Sequence, residues 1–132
     1  MRLRQCTVLA LLVVALATPL FAATHVVEIM LAEFTPPELT INVGDTVLWR
    51  NNSFLQHTIT SGTSCSPNGI FNSGLLDPDA EFSHTFTAVG SFPYLCTLHC
   101  LAGMRGTVTV DAPVPVAITT WGAIKALYAA AR

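Results

Sequence analysis

Four side chains that can bind one metal ion place the strongest constraint on how this 132-residue chain can fold. Cys96, His99 and Met104 occur in the order C-x2-H-x4-M, and His57 lies far upstream of them. A thiolate, two imidazoles and a weak thioether together form the donor set of a type 1 copper site. If Cys96 ends one strand and Met104 begins the next, the loop between them can wrap around one ion while His57 approaches from another strand. The spacing therefore predicts one copper ion held by a loop between strands.

Short segments on either side of these residues extend the pattern. Residues 34–52 precede His57, residues 82–86 and 90–94 precede Cys96, and residues 104–110 close the motif. In this order, residues 25–111 resemble the plastocyanin-like cupredoxin family. The resemblance implies a cupredoxin domain over residues 24–111 that holds one type 1 copper ion. It implies that the ligands are His57, Cys96, His99 and Met104.

The strand pattern by itself indicates an all-β protein. Segments that are rich in branched residues, or that alternate apolar with polar residues, are predicted as strands at 26–31, 39–43, 46–50, 58–60, 82–86, 92–96 and 107–110. Residues 61–80 contain many Gly, Ser, Asn, Pro and Asp residues, which predict a long loop. Short strands separated by turns are typical of an antiparallel sandwich. We therefore expect an antiparallel Greek-key β-sandwich with a short C-terminal amphipathic helix or tail.

The N-terminus is predicted to be a secretory signal peptide over residues 1–22. Basic residues come first, an apolar run covers residues 8–16, and the small residues Ala22 and Ala23 follow. The position two before either alanine is Leu20 or Phe21, neither of them small, so the cleavage site stays open. An uncleaved N-terminal anchor is the alternative, although the apolar run is shorter than an ordinary membrane span. The signal predicts an exported protein, periplasmic or extracellular.

Cleavage after Ala22 would give a mature chain that begins Ala23-Thr24-His25. A free amine, two amides and a histidine at the third position can chelate Cu(II) in a square plane. An ordinary surface histidine at the start of a strand is the alternative interpretation of His25. His84 alternates with Phe82 and Phe86 and is expected to be structural or exposed.

Two further cysteines are predicted to form a disulfide. Cys65 and Cys100 remain once the ligand Cys96 and the leader are set aside, and disulfides persist in oxidising compartments. Two unpaired thiols are the alternative. A zinc site made from Cys65, Cys96, His99 and Cys100 is a chemical rival to copper. This zinc site is disfavoured because His99 and Cys100 are adjacent, and adjacent side chains in extended backbone point in opposite directions. It also leaves Met104 unexplained.

The C-terminal residues differ in character from the domain. Residues 112–118 are predicted to form a Pro-rich linker, and residues 119–132 a candidate amphipathic helix. Its apolar stripe consists of Trp121, Ile124, Leu127 and Tyr128. This helix is predicted to attach the protein to a membrane or a partner, with docking on its own domain or disorder as alternatives.

Charge and composition exclude several functions. Loss of Arg2 and Arg4 with the leader would change the formal net charge from −2 to about −4, and no basic patch is present to bind nucleic acid. The four histidines include no H-x-H pair of the kind that multicopper oxidases require, so we do not expect an enzyme. Instead, we expect a monomeric carrier that shuttles single electrons between transient redox partners. Copper storage or delivery is the alternative.

The resemblance also implies that His99 is the exposed ligand through which electrons pass. An apolar docking patch is predicted around it, made of Phe54, Leu55, Leu98, Leu101 and Ala102. Small interfaces of this kind suit brief, weak encounters. Some of these side chains could instead close the core beneath the site.

Overall fold

A computed structural model describes residues 21–113 and, beyond them, only Gly122 and Lys125, which both have helical backbone. Within this part of the chain there are nine strands and one short 3-10 turn. The strands are β1 (Thr24–Ile29), β2 (Phe34–Thr35), β3 (Glu38–Asn42), β4 (Thr46–Asn51), β5 (Thr60–Thr63), β6 (Ser66–Asn72), β7 (Glu81–Thr85), β8 (Gly90–Leu95) and β9 (Arg105–Asp111). The 3-10 turn covers Cys100–Ala102, between β8 and β9.

The strands form two sheets, with the orders β2-β1-β4-β7 and β3-β9-β8-β5-β6. The predicted all-β sandwich is therefore confirmed. Its pairing is not antiparallel throughout, since β1 runs parallel to β4 and β3 runs parallel to β9. The chain leaves the first sheet after β2, forms β3 in the second sheet, and returns as β4 beside β1. An alternating pattern reports which face of a strand is buried but not its direction, so this crossover could not be predicted from it.

The core lies between the two sheets and is built by this alternation. In the first sheet, Val27 and Ile29 of β1 and Val47 and Trp49 of β4 are fully buried. In the second sheet, Val108 and Val110 of β9 and Tyr94 of β8 face them from the other layer. The Trp49 and Tyr94 rings meet edge to face, with centroids 5.3 Å apart. Burial of such side chains contributes roughly 1.5–3 kcal/mol each, and it holds the two ends of the metal-binding loop in a rigid frame.

The loop prediction for residues 61–80 is wrong over its first half. Residues 60–72 form the β5–β6 hairpin, whose two-residue turn is Ser64–Cys65. Both turn residues have positive φ angles, 51° and 60°, as a tight hairpin turn of the mirror-image type requires. The usual signal for that turn is Asn-Gly or Asp-Gly, and its absence hid the hairpin. The pairing register also shifts between Thr60 and Gly62, and a side chain at Gly62 would collide with the backbone of Ser66.

The two ends of the chain fall mostly outside the described residues. These include residues 1–20 of the predicted signal peptide, most of the 112–118 linker and, apart from Gly122 and Lys125, the 119–132 helix. Among the residues that the structure describes, no helix has the length and apolar character needed to span a membrane.

Candidate metal centre

Three potential ligands converge at one end of the sandwich. The ligand atoms of His57, Cys96 and His99 all lie within 4.8 Å of one another. Cys96 Sγ is 3.7 Å from His57 Nδ1 and 3.4 Å from His99 Nδ1. Ions such as Zn²⁺ bind nitrogen and sulfur donors at about 2.0–2.3 Å, so two donors around one such ion are separated by roughly 3.5–3.8 Å. The three side chains therefore fit a single metal ion.

The loop after β8 presents Cys96 and His99. Strand β8 ends at Leu95 and β9 begins at Arg105, so Cys96 and Met104 each lie one residue outside the strands. Cys96 N–H donates to the Met104 carbonyl at 3.2 Å, and Met104 N–H donates to the His99 carbonyl at 3.3 Å. Gly103 ends the 3-10 turn with a left-handed φ of 90°, which a glycine adopts without strain. These bonds close the loop on itself and bring both of its ends to the same place.

Met104 is the fourth predicted donor. Its side chain is 1% exposed and packs in the core cluster that also contains Cys96. Thioethers are soft donors that suit copper and are poorly suited to zinc. A buried Met104 beside the Cys96 loop is therefore consistent with copper.

The ring of His57 is held in one orientation by a hydrogen bond at Nε2, the nitrogen that does not face Cys96. Its Nε2 lies 2.9 Å from Ser53 Oγ, and that hydroxyl in turn donates to Asn51 Oδ1 at 2.9 Å. Because the hydroxyl hydrogen is used toward Asn51, Ser53 Oγ accepts the N–H of His57 Nε2. This places the free lone pair on Nδ1, the atom that faces Cys96. Partners of this kind orient metal-binding imidazoles in many proteins.

Asn51 organises the segment that carries His57. It is fully buried at the end of β4, and its side-chain N–H groups donate to the carbonyls of Leu55, Leu76 and Asp77. Its Oδ1 accepts from both the N–H and the hydroxyl of Ser53. Sequence reasoning did not identify Asn51 or Ser53 as functional. The Asn51-Asn52-Ser53 run directly before the ligand segment was the available signal.

Thr58 contacts the sulfur of Cys96. Its backbone N–H lies 3.4 Å from Cys96 Sγ, and its Oγ1 accepts the N–H of Thr97 at 2.8 Å. The two threonine hydroxyls also lie 3.0 Å apart. Thr58 therefore joins the two segments that carry His57 and Cys96. This role was not predictable from the sequence, because the contact joins residues 38 apart in the chain.

The electrostatic environment favours metal binding over protonation of His57. Burial lowers the pKa of His57, and the neighbouring His99 lowers it further. Neutral imidazole is the form that binds metals. His57 and Cys96 are both 0% exposed, whereas His99 is half-buried. His99 is therefore the side of the donor group that faces solvent.

The structure joins Cys65 and Cys100 in a disulfide, with Cα atoms 5.5 Å apart. The bond ties the β5–β6 turn to the 3-10 turn that follows His99. Because both sulfurs are used in this bond, the Cys65, Cys96, His99 and Cys100 zinc site is contradicted. Among the described residues, Cys96 is the one free cysteine, and it is buried.

The five residues predicted to form a docking patch are exposed. Phe54 is 77% exposed, Leu98 53% and Leu101 96%, and Leu55 and Ala102 are also exposed. The five predicted patch residues are thus on the surface and do not close the core. Leu75, 61% exposed, was not predicted; it precedes Leu76, whose backbone pairs with that of His57.

The two remaining histidines lie away from the converged donors. His25 Nε2 is 2.9 Å from Asp45 Oδ2, at the start of β1. His84 packs in β7 between the rings of Phe71 and Phe86, with both centroid separations 4.8 Å, and burial lowers its pKa. The expectation that His84 is structural agrees with this packing.

Comparison with known proteins also indicates a copper-binding protein, over nearly the whole of the described domain. Residues 22–111 match the family model described as copper binding proteins of the plastocyanin/azurin family. The chain is 35% identical over 84 residues to a plastocyanin from Scenedesmus fuscus, which covers 59% of this chain and 86% of that protein. It is 33% identical over 86 residues to an amicyanin from Paracoccus versutus, which covers 65% of this chain and 64% of that protein.

Solved structures with the same architecture include two cupredoxins. A reduced amicyanin mutant aligns with a TM-score of 0.58 and 31% identity over 67% of this chain and 82% of its own. A purple cupredoxin from Nitrosopumilus maritimus aligns with a TM-score of 0.55 and 34% identity over 59% of this chain and 81% of its own.

Proposed function

The chain belongs to the plastocyanin/azurin family of copper-binding proteins, and we propose that it carries single electrons between redox proteins outside the cytoplasm. The observation that supports this most strongly is the convergence of His57, Cys96 and His99 within 4.8 Å, beside the buried Met104. Plastocyanins and amicyanins are among its relatives. A signal peptide over residues 1–22 is part of the proposal.

Each donor has a proposed role that follows from its position. Cys96 supplies the buried thiolate, His57 and His99 supply imidazole nitrogens through Nδ1, and Met104 supplies a weak thioether. When bound, copper supplies one-electron chemistry by cycling between Cu(I) and Cu(II). The rigid loop and the Ser53 and Thr58 contacts hold the donors in place through that cycle.

Electron exchange is proposed to occur at His99. Its ring is half-buried, and the proposed docking patch around it consists of residues that are all exposed: Phe54, Leu55, Leu98, Leu101 and Ala102. An apolar surface around one exposed ligand allows a partner to approach closely and to separate quickly, as small interfaces do. The protein acts as a monomer and needs no catalytic group of its own.

Copper binding is tested by its colour. Thiolate ligation to Cu(II) produces intense charge-transfer absorption, so the copper-loaded oxidised protein should be strongly coloured and should bleach on reduction. Cys96→Ala should abolish the colour. Met104→Leu should keep it and raise the reduction potential, because loss of a thioether donor would disfavour Cu(II). An equally intense band in the Cys96→Ala protein would contradict the ligand assignment.

Electron transfer is distinguished from copper storage or delivery by kinetics with host extracts. Oxidised protein mixed anaerobically with periplasmic or membrane fractions should bleach rapidly. Leu101→Asp should slow this reaction while leaving reduction by ascorbate unchanged. Val89→Asp is the matched control, because Val89 is 60% exposed and lies beside the opposite end of β8. Loss of copper to the extract without bleaching would favour delivery.

A further inference from the structure

A buried carboxylate, Asp45, lies beside the start of β1. Asp45 is 4% exposed, and its two oxygens are used differently. Oδ1 accepts the backbone N–H of Ala23 at 2.8 Å. Oδ2 accepts the N–H of Asn42 at 3.0 Å and lies 2.9 Å from His25 Nε2. A buried carboxylate is expensive unless it is paired, so its partners are significant.

Among the residues that the structure describes, the hydrogen bonds to the fold begin at Ala23. Its N–H donates to Asp45, and its carbonyl accepts the N–H of Thr46 at 2.9 Å, which starts the pairing of β1 with β4. The residues before it are different, since Ala22 is exposed and Phe21 is 87% exposed despite its apolar ring. The fold therefore uses residue 23 and leaves residues 21 and 22 in solvent.

We propose that export cleaves the Ala22–Ala23 peptide bond and that the new α-ammonium group of Ala23 forms an ion pair with Asp45. A membrane-bound signal peptidase would hydrolyse the bond with one water molecule. The C–N bond breaks, Ala22 leaves with a carboxylate, and the amine of Ala23 takes up a proton. The nitrogen that donates to Asp45 Oδ1 thereby changes from a neutral amide to a cation.

The ammonium group of Ala23 would stabilise the Asp45 carboxylate more than the neutral amide of the uncleaved chain does. The carboxylate is already an ionised acceptor, so the ammonium group adds the direct attraction of two opposite charges to a hydrogen bond that is kept. Cleavage one residue later, after Ala23, would remove both hydrogen bonds that Ala23 makes. The alternative that Ala23-Thr24-His25 chelates Cu(II) is also disfavoured, because Thr24 and His25 are paired in extended backbone with Thr46 and Val47. Chelation would require those residues to leave the strand and wrap around an ion.

The cleavage site is tested on protein exported by its own host. N-terminal sequencing and intact mass of the extracytoplasmic protein should show a chain that begins at Ala23. A chain that begins at Thr24, or one that retains residues 1–22, would overturn the proposal. The measurement does not depend on copper, so a negative result would reject the cleavage site without bearing on the proposed electron-transfer function.

The ion pair is tested with two matched N-termini. Protein that begins at Ala23 is compared with the same protein extended by one glycine, which keeps the amide hydrogen bond but moves the ammonium away. The extension should raise the unfolding equilibrium constant about 3- to 10-fold, a typical coupling for directly paired groups. In an Asp45→Asn background the extension should have almost no effect.

A salt titration repeats the test without any change at Asp45. The stability difference between the two N-termini should shrink only modestly as salt is raised, because Ala23 is exposed but the Asp45 carboxylate is buried, and partly buried pairs are screened less than surface pairs. Equal stability of the two forms at low salt would show that Asp45 acts only as a neutral hydrogen-bond acceptor, and would overturn the ion pair.

Discussion

The backbone N–H of Thr58 lies 3.4 Å from the Sγ of Cys96, the residue proposed as the copper thiolate. Hydrogen bonding around such a sulfur tunes the reduction potential of a type 1 site. A donated N–H stabilises negative charge on the sulfur, so less of that charge reaches Cu(II), and Cu(I) is relatively favoured. The Thr58 hydroxyl secures this contact by binding Thr97, the neighbour of Cys96.

Replacement of Thr58 by Val is expected to lower both stability and reduction potential. The change keeps the side-chain shape but removes the acceptor of the Thr97 N–H, a loss of about 1–2 kcal/mol in the free energy of unfolding. The Thr58 N–H then holds the sulfur less firmly, which favours Cu(II). Urea denaturation and a redox titration measure the two effects. Thr85→Val is the control: it removes the exposed hydrogen bond between the Thr46 and Thr85 hydroxyls, and it should change the free energy of unfolding by less than about 0.5 kcal/mol.

Replacement of Ser53 by Ala is expected to weaken copper binding. The Ser53 hydroxyl accepts the His57 Nε2 hydrogen and so directs Nδ1 toward the ion. Loss of such an orienting partner typically lowers metal affinity about 10- to 100-fold. Competition with a chelator of known affinity measures the change. Ser91→Ala, on an exposed position of β8, is the matched control; equal affinities in the two variants would contradict the role of Ser53.

Removal of the Cys65–Cys100 disulfide is expected to destabilise the protein and loosen His99. The bond spans 35 residues, and the chain-entropy treatment gives about 3–4 kcal/mol for a loop of that length. A Cys65→Ala/Cys100→Ala double variant should therefore unfold at lower urea and release copper faster. Non-reducing peptide mapping of native protein should show the two peptides linked, and free thiols there would reject the bond.

Asp45 is expected to make the fold sensitive to acid. Its pKa is lowered chiefly because the Ala23 N–H donates to the carboxylate; burial opposes this, and His25 and the Asn42 N–H add to the lowering. A carboxyl group whose folded pKa lies below the unfolded value near 3.8 stabilises the fold above that pH. The contribution is lost as the pH falls through the folded pKa. Urea midpoints measured from pH 6 downward should therefore decline less steeply for Asp45→Asn than for the parent.

Truncation after Ala112 is expected to leave the copper colour and the thermal stability nearly unchanged. The sandwich and all four proposed ligands lie before that residue. Removal of residues 113–132 should instead alter localisation or partner association, which cell fractionation and co-purification would detect. A large fall in melting temperature would show that the 119–132 segment is part of the fold.

Strands with clear alternation were predictable, and irregular ones were not. The strand predicted at 39–43 lies within one residue of β3, because one face of this segment is more buried and the other is exposed to solvent. The β5–β6 hairpin was missed because its turn uses Ser64 and Cys65 in left-handed backbone, where the disulfide rather than a glycine accompanies the turn. The parallel pairing of β1 with β4 was missed because direction depends on a crossover between sheets.

The identity of the four donors and their spacing are visible in the sequence, and they were enough to indicate copper, because ligand type and loop length are local chemical properties. The contacts that hold those donors depend on the folded structure. It brought the Thr58 N–H to the Cys96 sulfur and Ala23 to the Asp45 carboxylate. Contacts between distant segments follow from how two sheets pack, and the spacing of residues along one chain carries no record of them.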